Sequence, residues 1–387
     1  MMQDLSNSSF DLLQLGQVDA SLLRGSWYEI DLDAVRHNFC QLRRCLPSSV
    51  RIYPCLKRNG YGCGAAQMAI TLAAEGAHGF AVASLLDAIS IRRFGMASPI
   101  LLYPGALTSA APVIEALDLT VSISSVEELD QWRRTVSPLS VFIKVDLGFF
   151  RAGVTPQGAG HLLSAAASCP DVQVKGLYAH MSELRIGSSA SVMDQLVRMR
   201  TILDAADASG TRPPLVMMSS TEGVLSHPEL DFDAVDPGAL FVGLPETECP
   251  VRDISLRPAL KTISARLVAV KQLDTSLGPV PTIAGFHEGM RLGVIGFGWG
   301  DGYPRDVPRH AQAIVGGKRV RVLAPAHLEH LRIDLSTVPE ARIGDPVLLL
   351  GQQGDAVITH AEVASQWGTD IIGLYNHLRD HIPRIYT

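Results

Sequence analysis

The chain has 387 residues, a formal net charge of −6 at pH 7, and charged side chains at 19% of its positions. This length allows one large domain and a smaller second one, because domains span roughly 100–200 residues and barrels run longer. The acidic balance offers no basic surface and excludes nucleic acid as the expected partner. The composition favours an enzyme that acts on a small molecule.

Six cysteines are spread along the chain without a Cys-x-x-Cys pair or a regular framework. Such a distribution is typical of a reducing compartment, so we expect a cytoplasmic protein. The first twenty residues include Asp4 and Asp11 and lack the basic start and apolar core of a signal peptide. No apolar run approaches the ~20 residues that span a bilayer, and we expect no membrane association.

The first predicted strand, at residues 27–32, alternates in hydrophobicity, and Asp33 is well placed to cap the helix that follows. Short apolar runs then alternate with helical patterns as far as about residue 260. Eight strands separated by helices predict a parallel (β/α)8 barrel. The predicted strands are residues 52–56, 79–84, 99–104, 119–124, 141–147, 174–180, 215–220 and 234–242.

After about Ser264 the pattern becomes β-rich, with glycine turns between the apolar runs. The predicted strands are residues 265–271, 290–297, 313–323, 331–335 and 346–350, and helical segments follow at 361–367 and 371–378. We therefore expect an N-terminal extension (1–26), a barrel domain (27–262) and a mostly β domain (263–387). The alternative for the first strand is that it joins the β domain.

Lys57 ends an apolar run and is followed by a Gly-Tyr-Gly turn, which would place it at the mouth of the barrel. At the end of a buried strand the low dielectric disfavours an ammonium ion, and this suits an amine that attacks an aldehyde. Most lysines are nevertheless solvated surface charges. The residues alone therefore indicate a candidate nucleophile without naming its cofactor.

The stretch Lys57-Arg58-Asn59-Gly60-Tyr61-Gly62 resembles the pyridoxal-phosphate lysine motif of the alanine racemase family, whose usual form is Lys-Ala-Asn-Ala-Tyr-Gly. The resemblance extends from residue 27 to residue 386. It implies an α/β fold in which a (β/α)8 TIM barrel precedes a mostly β domain, with pyridoxal 5'-phosphate as the cofactor. It also implies an amino-acid substrate and a homodimer whose sites are shared between subunits. Matching motifs, in order, are Lys144-Val-Asp-Leu-Gly148 with Arg151, Gly176-Leu-Tyr-Ala-His180, residues 293–305, and Pro383-Arg-Ile-Tyr386.

By this resemblance Lys57 is the Schiff-base lysine and an acid/base, and Tyr61 holds the phosphate of the cofactor. Ser220 and Gly238 match other phosphate-binding positions, and Ser219 stands where the family has an asparagine. Phosphate oxygens require backbone amides and hydroxyl groups, which is what these residues offer. Serines at strand ends are otherwise common turn residues.

Arg151 matches the family arginine near the ring phenolate and the substrate, and Lys144 matches a supporting lysine that is carbamylated in some members. His180 occupies the position of a neighbouring histidine. We assign Arg151 and His180 both to catalysis and to cofactor binding. Where the family has an arginine that donates to the pyridine nitrogen, this chain has Asp236, which would favour a protonated ring and could pair with His180. The alternative for Asp236 is a helix cap or a turn residue before Pro237.

The β domain also departs from the family pattern. Gly298-Trp299-Gly300-Asp301-Gly302 replaces Gly-Tyr-Ala-Asp-Gly, whose tyrosine is the second base, and an indole N–H lacks useful basicity. His327 is the candidate replacement acid/base. Trp299, Leu328 and Glu329 would shape the substrate site from the partner subunit. We expect no metal, because His327 and His330 would face opposite sides of an alternating strand.

Three functions remain open from the sequence. The first is an amino-acid racemase or epimerase in which Lys57 works with a substitute second acid/base. The second is another pyridoxal-phosphate enzyme of this fold, such as an aldolase, a decarboxylase or a dehydratase, which Asp236 would favour. The third is a non-catalytic pyridoxal-phosphate-binding protein.

Overall fold

The computed structural model of the protein describes residues 23–182, 189–245, 250–274, 276, 278–279 and 286–387. The chain divides into two compact units. Asp31–Ala259 form the first, and Leu260–Thr387 form the second together with the first strand, β1 (Ser26–Ile30). The first unit is a barrel and the second is built mainly from β-strands.

Eight parallel strands make the sheet of the barrel unit, and their positions confirm the predicted (β/α)8 architecture. The strands are β2 (Arg51–Ile52), β3 (Phe80–Val82), β4 (Ile100–Leu102), β5 (Leu119–Ile123), β6 (Leu139–Val145), β7 (Val172–Ala179), β8 (Val216–Ser219) and β9 (Ala234–Val235). The helices are α1 (Leu32–Cys45), α2 (Ala65–Ala74), α3 (Leu85–Arg93), α4 (Ala111–Ala116), α5 (Val126–Arg133), α6 (Pro156–Ala167), α7 (Ser189–Ser209) and α8 (Thr221–Ser226).

The sheet closes into a barrel through residues that follow the short strand β2. β2 pairs with β9 on one side, and just past β2 the amide of Leu56 donates to the carbonyl of Ala81 in β3 (2.8 Å). The last strand is shorter than the predicted 234–242, because Pro237 has no N–H to continue a ladder. Ala239–Val242 instead form a 3₁₀ turn.

Side chains from nearly every strand fill the interior of the barrel, as in other closed eight-stranded barrels. Phe142 packs edge-on against the rings of Tyr53 and Tyr178, with centroid distances of 6.5 and 6.2 Å. Gly176 leaves the space for this packing, since a Cβ there would lie 2.2 Å from the Phe142 ring. A filled centre leaves ligands only the loops at the barrel ends. The interior cluster contains Tyr53, Cys55, Ala81, Leu101, Phe142, Tyr178, Leu215, Met217 and Ala234.

The second unit is one nine-stranded sheet in the order β16-β15-β12-β13-β14-β11-β10-β1-β17. Its further elements are β10 (Leu260–Gln272), β11 (Arg291–Ile295), β12 (Gln312–Val315), β13 (Lys318–Leu323), β14 (Leu331–Asp334), β15 (Pro346–Gln353), β16 (Ala356–Ile358), α9 (His360–Gln366), α10 (Ile371–Asn376) and β17 (Arg384–Tyr386).

The long strand β10 curls this sheet, because it pairs with β15 near its start and with β11 near its end. β1 pairs antiparallel with β10 and parallel with β17, so it lies in this sheet and outside the barrel sheet. The single strand predicted at 313–323 is wrong. It is a hairpin of β12 and β13 that turns at Gly316 and Gly317, whose φ angles of 56° and 75° suit glycine.

Two general expectations concern membranes and metals. Among the residues given above as described, no helix has the length and apolar character needed to cross a membrane. Over the same residues, no group of three or more His, Cys, Asp or Glu side chains is placed to hold a metal ion.

A buried carboxylate, Asp301, organises the turn after β11. Its side chain is only 1% exposed, forms an ion pair with Arg24 and is hydrogen-bonded to His381 Nε2 (2.9 Å). Its Oδ2 also accepts the amide N–H of Gly298 (2.9 Å). Removing this carboxylate would leave the cationic and amide donors without their acceptor.

We therefore expect Asp301→Ala to lower the free energy of unfolding by about 3 kcal/mol, measured by urea denaturation followed by circular dichroism. The control is Asp355→Ala, in the exposed turn between β15 and β16, which should change it by less than about 0.5 kcal/mol. Equal effects of the two substitutions would contradict the central role of Asp301.

Candidate active site

Lys57 lies half-buried just beyond β2, and a left-handed turn follows it at residues 58–61. Arg58, Asn59, Gly60 and Tyr61 all have φ between 56° and 62°, a conformation that costs non-glycine residues energy. Two hydrogen bonds of Asn59 hold the turn. Its amide donates to Asp87 Oδ1, and its Oδ1 accepts the amide N–H at the start of α2, each at 2.8 Å.

The turn directs Tyr61 against the backbone of Gly238, which follows β9. A Cβ at position 238 would lie 2.3 Å from the Tyr61 hydroxyl oxygen, so only glycine allows this approach. The amide of Gly238 donates to Thr221 Oγ1 (3.2 Å), and half-buried Ser220 immediately precedes α8. The hydroxyl groups of Tyr61 and Thr221 thus both lie against the backbone of Gly238.

Ser219 differs from its neighbour Ser220. It is fully buried, and its hydroxyl donates to Asp231 Oδ1 (3.1 Å). Asp231 in turn is paired with Arg252. Burial raises the pKa of Asp231, and the hydrogen bonds from Arg252 and Ser219 oppose that effect. The Ser219 hydroxyl is therefore already bonded to Asp231 in the buried interior at the end of β8.

A buried carboxylate, Asp236, lies at the end of β9. It is 7% exposed, and its Oδ2 accepts a hydrogen bond of 2.6 Å from the hydroxyl of Tyr103, the residue after β4. Burial raises the pKa of Asp236 to about 6, although Tyr103 and the cations Lys144 and Lys57 lower it. Tyr103, and not the predicted His180, is thus the hydrogen-bonding partner of Asp236.

Lys144 projects from β6 into the same region and is 9% exposed. Burial lowers its pKa to about 8, and the Asp236 carboxylate partly compensates. The Nζ atom lies 4.6 Å from the centre of the Tyr178 ring, whose face attracts a cation. The interior side of the mouth therefore combines a carboxylate with lysine side chains in a medium of low dielectric.

Arg151, Phe149 and His180 form a stack at the mouth. The Arg151 guanidinium carbon is 3.9 Å from the centre of the Phe149 ring, which meets His180 edge-on at 5.4 Å. Burial and the charge of Arg151 lower the pKa of His180 to about 3, so its imidazole is neutral near pH 7. The Asp146 carboxylate holds the loop by accepting the backbone N–H groups of residues 148–151 at 2.8–3.1 Å.

The other predicted site residues belong to the second unit. Trp299 N donates to the carbonyl of His327, and Gly300 N to that of Leu328, both at 2.9 Å. The side chains of Trp299 and Leu328 are 39% and 53% exposed, and His327 and Glu329 are exposed as well. These residues therefore share one surface.

The strand expected around His327 and His330 is wrong, since these residues form a turn between β13 and β14. In this turn the amide of His327 donates to the carbonyl of His330 (3.0 Å). The expectation that His327 and His330 face opposite sides, which assumed a strand, therefore does not apply. Both histidines are exposed.

Sequence reasoning missed four residues that organise the barrel mouth. Tyr103 and Phe149 follow strands and look like ordinary apolar continuations, so nothing marked their contacts with Asp236 and Arg151. Asp87 was detectable as part of a Ser-x-x-Asp helix start, in which Ser84 caps α3 and also donates to Asp87 Oδ2. Asp146 was inside a quoted motif, but its four-fold acceptor role requires the loop conformation.

Comparison with known proteins agrees with this architecture. Residues 30–246 match the family model "Alanine racemase, N-terminal domain", and residues 262–386 match "Alanine racemase, C-terminal domain". An alanine racemase of Desulfovibrio desulfuricans is 32% identical over 369 residues, covering 94% of this chain and 98% of the relative.

Solved structures give the same result. An alanine racemase from E. faecalis superimposes with a TM-score of 0.83 at 26% identity, covering 94% of this chain and 99% of the other. The enzyme from Bacillus anthracis, in a structure with bound L-Ala-P, gives 0.82 at 25% identity, covering 94% and 95%. The chain therefore belongs to the alanine racemase family, whose enzymes use pyridoxal 5'-phosphate.

Proposed function

We propose that this protein is a pyridoxal-phosphate-dependent amino-acid racemase in which Lys57 carries the cofactor, and that alanine is the first substrate to test. Alanine is the substrate named for its relatives. The observation that carries the proposal is the convergence of Lys57, the Tyr61–Gly238 approach and buried Asp236 at one barrel mouth. Each of these suits a different part of the cofactor.

The residues fit the cofactor chemically. Tyr61, whose hydroxyl lies against Gly238, and half-buried Ser220 suit the phosphate, which needs hydroxyl and amide donors. Ser219 supports this strand end through Asp231 and offers the phosphate only its backbone. Buried Asp236 suits the ring nitrogen, because that nitrogen takes a carboxylate or an arginine as its partner.

The cofactor supplies the electron sink that acidifies the α-hydrogen of a bound amino acid. Lys57 would hold the cofactor through its Nζ, and the same amine would remove or return the α-proton on its own side of the substrate. Arg151, held against Phe149, orients the substrate carboxylate. The neutral imidazole of His180 packs edge-on against Phe149 and supports the Arg151–Phe149 contact. Because it is neutral, it adds no positive charge to those of Arg151 and Lys144.

The opposite side of the substrate is served by a second copy of the chain in this proposal. Exposed Trp299 and His327 lie on one surface of the β unit, as expected of groups offered to a partner, and His327 is the acid/base. Large apolar side chains are exposed after three barrel strands: Leu86 (78%) in the first turn of α3, and Leu107 (74%) and Phe150 (92%) in the loops after β4 and β6. A homodimer would cover them.

We place the protein in the cytoplasm. Cys40, Cys45, Cys55, Cys63 and Cys169 are free thiols in the described part of the chain. Free thiols suit a reducing compartment. A soluble metabolic enzyme would also suit the acidic net charge, which offers nothing to nucleic acid.

Borohydride reduction makes a lysine-bound cofactor permanent, and peptide mass spectrometry then locates it. We expect one phosphopyridoxyl group, on the peptide that contains Lys57, and its loss in Lys57→Ala. Lys175→Ala is the control, because this lysine is exposed on the barrel unit and donates a hydrogen bond to exposed Gln173. A label that persisted in Lys57→Ala would remove Lys57 from its proposed role.

The reaction is tested by incubating cofactor-loaded protein with L- and D-amino acids in D2O and following the products by NMR. We expect deuterium at the α-carbon together with the opposite enantiomer, first of all with alanine. Release of carbon dioxide, an aldehyde or ammonia would instead establish a decarboxylase, an aldolase or a dehydratase. If no amino acid in the panel showed deuterium exchange or product formation, a non-catalytic binding protein would be favoured.

Trp299→Tyr should raise the rate of alanine racemisation about tenfold or more, because a phenol can exchange the proton that an indole cannot. Trp299→Phe is the matched control, since it removes the indole without supplying a hydroxyl, and it should give no gain. An equal gain in both variants would mean that size, and not acid/base chemistry, limits the site.

A further inference from the structure

The barrel mouth contains a buried hydroxyl–carboxylate pair, Tyr103 and Asp236. The two side chains reach each other from the ends of β4 and β9, and the Oη–Oδ2 distance of 2.6 Å is typical of a strong bond to an ionised acceptor. The amide of Asp236 also donates to the carbonyl of Ser219 (3.0 Å), which fixes the backbone beneath the carboxylate. The side chain of Asp236 is therefore held by Tyr103, and its backbone is held by Ser219.

One carboxylate oxygen remains available. The bond from Tyr103 occupies Oδ2, and among the described residues no hydrogen bond reaches Oδ1. Asp236 and Lys57 both lie just past the ends of neighbouring strands, since β9 pairs with β2 and Cys55 N donates to Pro237 O (2.9 Å). Asp236 Oδ1 therefore lies at the same end of the barrel as Lys57, where a cofactor bound to Lys57 would lie.

The groups that act on this carboxylate come from several strands. Lys144 and Lys57 stabilise its charge. Tyr103, its hydroxyl donor, packs against the interior cluster that contains buried Cys55 and Tyr178. Burial raises the pKa of Tyr103 well above its usual value, so the phenol remains a donor at all relevant pH values. Because the Tyr103 hydrogen bond lowers the proton affinity of Asp236, it opposes the effect of burial.

We propose that Asp236 accepts a hydrogen bond from the protonated ring nitrogen of pyridoxal phosphate, and that Tyr103 is a positioning residue that keeps the shared proton on nitrogen. This inference rests on the proposed function. A ring nitrogen paired with a carboxylate stays protonated, whereas one paired with arginine does not. The chain therefore binds the cofactor in its more electron-withdrawing form.

Tyr103 matters in this arrangement because the proton is shared between nitrogen and oxygen in a medium of low dielectric. By donating to Oδ2, the phenol makes the carboxylate a weaker base. Without the phenol the carboxylate binds the proton more strongly, and the proton moves from the ring nitrogen toward oxygen. Asp236→Asn removes the acceptor charge altogether.

The test is 15N NMR of full-length protein reconstituted with pyridoxal phosphate labelled at the ring nitrogen, recorded across neutral pH. We expect a pyridinium-type signal in the wild type and a pyridine-type signal in Asp236→Asn. Tyr103→Phe should lower the ratio of protonated to unprotonated nitrogen about tenfold, as expected for the loss of one charge-assisted hydrogen bond. Tyr178→Phe is the control, because its hydroxyl bonds to Ser122, and it should leave the signal unchanged.

Borohydride reduction of the same samples separates this inference from the proposed function. Cofactor on Lys57 combined with an unprotonated ring nitrogen in the wild type, or with an unchanged signal in Asp236→Asn, overturns the inference and leaves the function intact. An unchanged signal in Tyr103→Phe overturns the role of Tyr103. Cofactor that is not on Lys57 overturns both proposals. If Asp236→Asn does not fold, the wild-type signal still tests whether the ring nitrogen is protonated, and Tyr103→Phe still tests the role of Tyr103.

Discussion

The left-handed turn at residues 58–61 is the constraint on which the geometry of the barrel mouth depends. Three non-glycine residues adopt positive φ there, at a cost of roughly 1–2 kcal/mol each. The Asn59 bonds to Asp87 and to the start of α2 offset part of this cost. In return the chain reverses at once after Lys57 and brings the Tyr61 hydroxyl against Gly238. A right-handed helix starting at the same lysine would direct Tyr61 elsewhere.

The second determinant is the low dielectric inside the mouth, where burial favours the neutral forms of Lys144, His180 and Asp236. The pKa of Lys144 falls to about 8, that of His180 to about 3, and that of Asp236 rises to about 6. Hydrogen bonds and opposite charges then decide which of them remain charged. Asp236 retains a hydroxyl donor and nearby cations, whereas His180 faces only cations. The charge pattern is therefore a product of packing and not of composition.

Hydrophobic patterning predicted the eight strands of the barrel well, because each buried strand is an apolar run bounded by polar residues. It did not separate β12 from β13, since the two glycines between them were taken as part of one run. The position of Lys57 just beyond a barrel strand was predictable, because an apolar run precedes it and a Gly-Tyr-Gly turn follows it. The Tyr103–Asp236 bond was not, because it joins strands far apart in sequence and both side chains have ordinary local explanations. The turn at His327 was missed for a similar reason, since period-two alternation does not reveal a backbone bond between His327 and His330.

The placement of β1 has a consequence for how the chain is made. Ser26 pairs with Ala265 and Tyr28 with Arg384, so β1 finds its first neighbour, β10, only after the whole barrel unit has been synthesised, and its second, β17, later still. The barrel unit, Asp31–Ala259, is continuous in sequence and can be completed earlier, since domains generally fold as units during synthesis. Until then β1 is an unpaired strand with exposed backbone donors and acceptors. Assembly of the β unit is thus a late, long-range step, and a chain truncated before β17 would leave one edge of β1 open.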